Sequence, residues 1–372
     1  MNSNRNLRAI VIGGGVHGLS SAIALAKKGL KVSLLEKRNG LMEGTSRATQ
    51  NRAHLGYHYP RSPETAIECI MGLDLFKKMY PEALFYKGED YYLIEKKSKT
   101  SFEDFKYFCD NIGLPYEIKM PPRHLWNEEF IEERGFKVEE PVYNPEILKR
   151  LMEKEAFLNG VKIITGSEVI GLEEGKKGYK IISREKRDKK KEYDGQIIIN
   201  ATYAYSNNIL KSLGLEEDMT RYLLQITEVV IARSKAEIPA LTVMDGPFVT
   251  LLPFTDGGVN GRLFLVYDVV NSIVSQEEGY FLDDSKRHDS NWVKIVEHGE
   301  KYFPFFRDLE YIASLYGSRP IPINVLGDSR KTRIIAHRKK PGIYSILEGK
   351  LISAPLIAKR LVEKIKEDGF IR

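Results

Sequence analysis

The sequence predicts an α/β fold in which a mainly parallel sheet is interrupted by an inserted antiparallel β-sheet domain. Three observations carry that expectation. The chain opens on a strand, a glycine turn, a helix and a second strand within residues 7–36. Residues 222–271 hold the runs LLQITEVVIA, PFVTLLPF and RLFLVYDVV, whose β-branched and aromatic content suits an antiparallel sheet. The end returns to the opening style, with a strand at 342–347, the turn Glu348-Gly349-Lys350 and a helix at 353–367. We therefore expect segments 1–80, 145–215 and 325–372 to build the parallel-sheet domain, and 81–144 with 216–324 to build a substrate or cap domain.

In the opening unit, Ala9-Ile10-Val11-Ile12 reads as a buried parallel strand. Gly13-Gly14-Gly15-Val16-His17-Gly18 then supplies G-x-G-x-x-G. The helix after it carries Leu19, Ile23 and Ala26 at helical spacing and stops near Gly29, and the strand at 31–35 ends on Glu36. Gly13 permits the tight turn, Gly15 lets a pyrophosphate approach the backbone, and Gly18 lets the helix lie close on the strand. Phosphates sit at the N-terminus of such a helix, beside Val16 and His17, where unpaired N–H groups and the dipole favour anions. Glu36, with Lys37 beside it, is placed to accept hydrogen bonds from an adenosine ribose. This is a Rossmann-like, dinucleotide-binding unit. The acid disfavours NADP, and the unit alone leaves FAD and NAD open.

At 372 residues, two domains are the natural prior. A hydrophobic share of 42% with 29% charged residues is that of a soluble globular protein. No apolar run approaches the roughly 20 residues that span a bilayer, and MNSNRNLR leads into the first strand with no signal-peptide h-region. Cys69 and Cys109 alone give neither a disulfide framework nor metal-ligand spacing. A cytoplasmic protein without a metal is expected. The net charge of +6 is mild. The basic run 184–191 is interrupted by acids and lies between two apparent strands, so it reads as a solvated hairpin tip, and nucleic acid is not expected as a partner.

Between these landmarks, residues 38–52 form a loop rich in Gly, Ser, Thr, Asn and Arg. In residues 53–59, period-two alternation puts His54, Gly56 and His58 on one face, with Leu55, Tyr57 and Tyr59 on the other. A helix at 63–79 presents Ile67, Ile70, Leu73 and Phe76. A strand at 85–94 and a helix at 101–112 follow, then an irregular stretch at 114–142. Asn144 caps a helix at 145–158 that opens on Pro145. Strands at 161–164, 169–172, 179–183 and 196–200 come next, and a helix at 290–303. Ser353 is placed to cap the last helix, with Pro355 in its first turn. Two domains split in this way leave a cleft between them, a favoured place for a small molecule.

Five segments together resemble the D-amino-acid-oxidase-like superfamily of FAD-dependent oxidoreductases. They are the opening unit, GTSRATQNRAHLGYHY, NPEILKRLMEKEAFLNGVKI with INAT, YGSRP, and GIYSILEGKLISAP. The motifs are nearest to glycerol-3-phosphate and L-2-hydroxyglutarate dehydrogenases and to glycine and sarcosine oxidases. The resemblance implies FAD as cofactor and a Rossmann-like FAD-binding domain. It implies that Thr45 and Ser46, after Gly44, pass the pyrophosphate, and that the segment ends with His54 at the isoalloxazine. It puts Val169 near the adenine and matches Ala201 to the start of an N-A-A-G turn, where Thr202 and Tyr203 replace the second alanine and the glycine. It matches Gly349, Lys350, Leu351 and Ile352 to a G-G-K turn under the flavin pyrimidine, with Glu348 replacing the first glycine. Arg319 matches the G-x-R-P arginine that binds a substrate's anionic group.

Chemistry agrees with these roles. A helix N-terminus beside the flavin favours the negative charge that appears there on reduction, and Lys350 adds to it. His54 can take a hydroxyl proton, since imidazole titrates near neutrality, and Gly56 leaves room beside the ring. The fork of Arg319 suits a carboxylate or phosphate. The structural alternatives are a histidine bonded to backbone and an arginine in an interdomain salt bridge. Tyr57, His58, Tyr203, Tyr267 and Arg330 are weaker candidates for the substrate pocket, as are Arg52, Arg61 and Arg333 for the anion. The expected activity is FAD-dependent removal of hydride from a CH–OH carbon of a small anionic substrate. The alternatives are oxidation of a CH–NH2 carbon, oxidation of a sugar or nucleotide-sugar, and an FAD-binding module without turnover. The electron acceptor, oligomeric state and any covalent flavin link stay open.

Overall fold

The computed structural model describes residues 3–85, 88–185, 188–255, 262–283, 285–323, 332–347 and 349–372. Its six-stranded sheet runs in the order Arg333–Ala336, Ile343–Leu347, Ile197–Asn200, Arg8–Ile12, Lys31–Glu36, Lys162–Thr165. All neighbours are parallel except the antiparallel edge strand Arg333–Ala336. Ala9 to Ile12 are buried, as an unbroken apolar run in a covered parallel strand must be. Lys31–Glu36 and Ile197–Asn200 flank this strand on opposite sides, so crossovers leave it in both directions. That is a topological switch point, and a crevice opens at the strand's carboxyl end.

The helices Val16–Lys27, Pro63–Met79, Pro145–Leu158 and Ala354–Glu367 contribute to the core on one side of this sheet. Asn144 Oδ1 accepts from the Ile147 N–H at 2.9 Å, the expected cap. The inward stripe of Pro63–Met79 differs from the predicted one: Ile67 is 47% exposed, while Ala66, Cys69, Leu73 and Phe76 are buried. Gly72 sets the rotation, since a Cβ there would lie 2.8 Å from Ser353 Cα. Ser353 does not cap the last helix. Its hydroxyl donates to Lys350 O at 2.8 Å within a 3-10 turn, Leu351–Ser353.

The second sheet has nine strands. It is antiparallel apart from one parallel pair, Asp90–Glu95 with Ala240–Met244. Two parts of it escape sequence reading. Residues 114–142, expected to be irregular, contain the strand Ile131–Val138. Glu310–Pro322 is a 13-residue strand on the edge of Tyr222–Arg233. Pro320 and Pro322 obscure it in the sequence, yet proline is tolerated on an edge where no ladder N–H is required. The basic run lies along the paired strands Gly178–Glu185 and Lys189–Gly195, with Arg184–Glu168 and Lys191–Glu185 ion pairs at 2.6 Å each. Residues 53–59 form a turn, with Gly56 at φ +122° and Tyr59 N–H on Gly56 O at 3.0 Å, so the predicted alternation of faces fails. Among the described residues no helix is long and apolar enough to cross a membrane, and no cluster of three metal-ligating side chains occurs.

Candidate functional site

One continuous cavity of about 1370 Å³ is lined at one end by Gly13, Glu36 and Val169 and at the other by His54, Tyr267 and Arg319. The glycine end is shaped by sterics. Gly13 has φ +106°, and a Cβ there would sit 2.6 Å from Ala201 O. A Cβ on Gly18 would sit 1.9 Å from Gly13 O, so the helix can lie on the turn only with glycine here. Gly15 is different: only Ser46 Oγ, at 3.2 Å, would meet its Cβ, and it opens to the cavity. Among the described residues no side chain caps the helix at Gly15. Val16 N–H donates to Ser46 Oγ at 3.2 Å, and the first turn has the polarity that suits an anion.

Glu36 braces this turn. One carboxylate oxygen accepts the Gly14 N–H at 2.6 Å and the other the Arg38 N–H at 2.7 Å, while the side chain still lines the cavity. Lys37 Nζ lies 3.5 Å above the Tyr205 ring. Val169, Ala201 and Thr202 line the same end. Tyr203 takes φ +54°, the left-handed conformation that a glycine would adopt most easily. Thr45 Oγ1 meets Ser318 Oγ at 2.9 Å, tying the loop to the strand that carries Arg319. Gly349, at φ +112°, packs against His17, whose Nε2 would be 3.0 Å from an added Cβ. Both His17 ring nitrogens are buried, and no hydrogen bond of ordinary geometry reaches them from a described residue. Burial lowers its pKa to about 4 against an opposing pull from the Lys350 backbone. An open glycine edge, a helix start whose N-cap is a glycine, and a buried imidazole fit a bound dinucleotide.

The other end is made of side chains. Arg319 Nε donates to Gln225 Oε1 at 2.8 Å and Nη1 to Tyr267 OH at 3.1 Å. No carboxylate of a described residue pairs with it, so the salt-bridge alternative is not realised there. His54 and His58 face each other edge-on with ring centroids 5.3 Å apart, and Tyr59 lies 5.7 Å from His54. Lys350 Nζ lies 4.7 Å above Tyr59. Arg61 is engaged with both oxygens of Asp245, at 2.7 and 3.3 Å. Lys99, Lys286, Arg287 and His288 also line the cavity. They escaped sequence reading, because only the triplet Lys286-Arg287-His288 hinted at them and no motif holds it.

Several predicted residues lie elsewhere. Tyr57 is fully buried, donates its hydroxyl to Pro115 O and packs on Tyr92, so it does not contact the pocket. Gly56 packs on Ala66 rather than leaving room beside a ring. Ile352 is buried in the core of the parallel-sheet layer. Arg52, by contrast, does reach the cavity lining, but it is buried and its guanidinium is engaged by Glu140, Tyr92, Asp90 and Thr242. Arg333 is half-buried and outside the cavity lining. Arg330 and Glu348 lie outside the described residues.

A backbone-built dinucleotide cradle and a cationic small-molecule chamber, joined in one cavity, define a dinucleotide-dependent enzyme. The chain belongs to the DAO family of FAD dependent oxidoreductases, whose match covers residues 8–364. It is 26% identical over 385 residues to the FAD-dependent monooxygenase kojA of Aspergillus flavus, spanning 97% of this chain and 86% of that protein. Its fold is that of glycine oxidase from Geobacillus kaustophilus, with TM-score 0.74 and 16% identity over 97% of this chain and 95% of that one. It is also that of L-alpha-glycerophosphate oxidase from Mycoplasma pneumoniae with FAD bound, with TM-score 0.74 and 18% identity over 96% and 94%. The protein is an FAD-dependent oxidoreductase, with the expected α/β fold.

Proposed function

We propose that the protein oxidises a CH–OH carbon of a small substrate bearing a carboxylate or phosphate. The observation that carries this reading is Arg319: a guanidinium on the cavity wall whose described partners, Gln225 and Tyr267, are both neutral. Such a fork gains most from an anion that arrives with the substrate. FAD, when bound, supplies the two-electron acceptor. Gly13, Gly15, Val16 and Ser46 hold its pyrophosphate; Glu36, Lys37 and Val169 lie at its adenosine; Thr45, His17, Ala201, Thr202 and Gly349 to Leu351 follow it to the ring. Segments 1–80, 145–215 and 325–372 form the FAD-binding unit in this reading, and 81–144 with 216–324 the cap. Arg319 orients the substrate, and the imidazole pair His54–His58 receives the hydroxyl proton. Lys350 offsets negative charge near the turn at Gly349.

Anaerobic bleaching of the flavin absorbance tests this. A panel of hydroxy acids, amino acids and sugar phosphates should include a hydroxy compound with a carboxylate or phosphate that bleaches the protein, and its uncharged analogue should not. Bleaching by amino acids alone contradicts the reading, and bleaching by none of them favours a binding module.

A further inference from the structure

No sequence motif marks Gln225, yet it sits beside Arg319 and controls how that charge is used. Gln276, Gln225 and Arg319 stand in register on three neighbouring strands, with Gln225 in the middle. Residues directly opposite in antiparallel pairs share a face, so the three side chains form one row. Gln225 is buried; its Oε1 accepts the Arg319 Nε–H at 2.8 Å and its Nε2 donates to Gln276 Oε1 at 2.5 Å. A guanidinium only donates, so the Gln225 atom that meets it is oxygen, and Nε2 is left for Gln276. The row is neutral up to the guanidinium. The carboxylates on the adjoining strands are turned away from it. Glu228 lies three residues from Gln225, an odd spacing that puts it on the opposite face. There it accepts from Ser290 Oγ, the Asn291 N–H and Ser314 Oγ. Asp268 follows Tyr267 directly and is also opposite; it lies 2.6 Å from His298 Nδ1 and accepts from Asn271 Nδ2 at 2.8 Å. Asp245 does line the cavity, and Arg61 and Thr100 Oγ1 hold it at 2.7 and 2.9 Å.

We propose that Gln225 sets the chamber's preference for anions: its carboxamide orients Arg319 through Nε and, being uncharged, leaves the positive charge for a carboxylate or phosphate on the substrate. A glutamate at this position would fill the same space and accept the same N–H. Its carboxylate would pair with the guanidinium, and charge attraction is strong where water is excluded. An arriving anion would then meet a neutral pair in place of a cation, and an uncharged substrate would be favoured by comparison. The amide of Gln276 can turn to donate to such a carboxylate, so the row stays bonded. Gln225 is a positioning residue, since it acts through Arg319. This assignment rests on the reading of Arg319 as the holder of an anionic substrate, and it is the same for a hydroxyl-bearing and an amine-bearing carbon.

The test needs no turnover. Calorimetric titration of the FAD-loaded protein with acetate and with inorganic phosphate should show saturable binding of at least one of them, and Arg319→Ala should abolish it. Gln225→Glu should weaken that binding at least about tenfold. Gln225→Leu removes the hydrogen bond without adding a charge and should weaken it less, roughly threefold. With compounds that bleach the flavin, Gln225→Glu should also cut the preference for an anionic compound over its uncharged analogue at least about tenfold. Anion binding that Gln225→Glu leaves unmoved, or weakens no more than Gln225→Leu does, overturns the proposal while the reading of Arg319 stands. If Gln225→Glu fails to fold, Gln225→Leu decides, and an unaltered affinity there overturns the proposal. Binding of neither anion by the unaltered protein, or binding that survives Arg319→Ala, overturns the reading of Arg319 and the proposal with it.

Discussion

The two ends of the cavity are built on opposite principles. At the glycine end the contacts are backbone, and the side chains that matter are largely absent ones: Gly13, Gly15 and Gly18 work by having no Cβ. At the histidine end the backbone is only a frame. Side chains from Arg52, His58, Tyr92, Glu140, Gln225, Tyr267 and Arg319 meet there from segments far apart in the chain. The first end follows from local order in the sequence. The second depends on the register of a nine-stranded sheet. This predicts that substitutions at the glycine end act through steric exclusion, and those at the other end through charge and protons.

The largest effect is expected for Gly18→Ala, whose Cβ would meet Gly13 O at 1.9 Å. Overpacking against fixed backbone should cost more than about 3 kcal/mol or abolish retention of FAD, read by thermal melts and by flavin absorbance after gel filtration. Gly15→Ala sharpens the point. With φ −73° and only Ser46 Oγ nearby, it should leave apoprotein stability within about 0.5 kcal/mol. FAD titration should nevertheless show markedly weaker binding. Equal damage to stability from both variants would erase the distinction between packing glycine and cradle glycine.

Arg52→Met should destabilise the protein by about 3–5 kcal/mol, since it leaves buried Glu140 without its counter-charge. Urea melts measure it. A loss below 1 kcal/mol would show that the network is not holding charge. Arg319→Ala should raise the half-saturating substrate concentration roughly 30-fold, about 2 kcal/mol for a charged hydrogen bond, with stability little changed. Arg319→Lys should recover only part of this, because an ammonium lacks the fork.

A smaller effect belongs to pH. Burial raises the Asp90 pKa to about 7, with Arg52 pulling it down and Glu140 pushing it further up. The folded state therefore keeps a proton that the unfolded chain has lost above about pH 4. Stability falls as pH rises from about 4 through about 7. Asp90→Asn should flatten that decline and raise Tm at pH 8 by roughly 1–2 °C per kcal/mol recovered. An unchanged pH profile would mean that Asp90 does not hold the proton. The smallest effect is expected for Tyr57→Phe, which loses one hydrogen bond to Pro115 O, about 1 kcal/mol, with no change in substrate affinity.

What was legible in the sequence follows the same division. The glycine unit, the helix at 145–158 with its Asn144 cap, and the returning helix are local patterns, and each was readable from its own residues. His54 and Arg319 were legible through motif likeness, and the structure brings them into one cavity. The strand carrying Arg319 was not legible, because its prolines mask an edge position that only the assembled sheet makes acceptable. Tyr57 was offered for the pocket although alternation puts it opposite His54, and it lies in the core; Tyr59 breaks the alternation, because Gly56 at φ +122° turns the chain and leaves Tyr59 in the cavity with His54 and His58. Arg52 read only as a weaker candidate for the anion, because its buried partners, Asp90, Glu140 and Thr242, are supplied by distant strands and loops. His288 had no local signal beyond two basic neighbours.

The most direct test of the account is the concentration dependence of anaerobic flavin bleaching by an anionic hydroxy compound, compared between the unaltered protein and Arg319→Ala. The account predicts saturable bleaching, with half-saturation moved to much higher concentration by the substitution and FAD still retained. Bleaching by amino acids in its place, or a half-saturation that Arg319→Ala leaves unmoved, would contradict it.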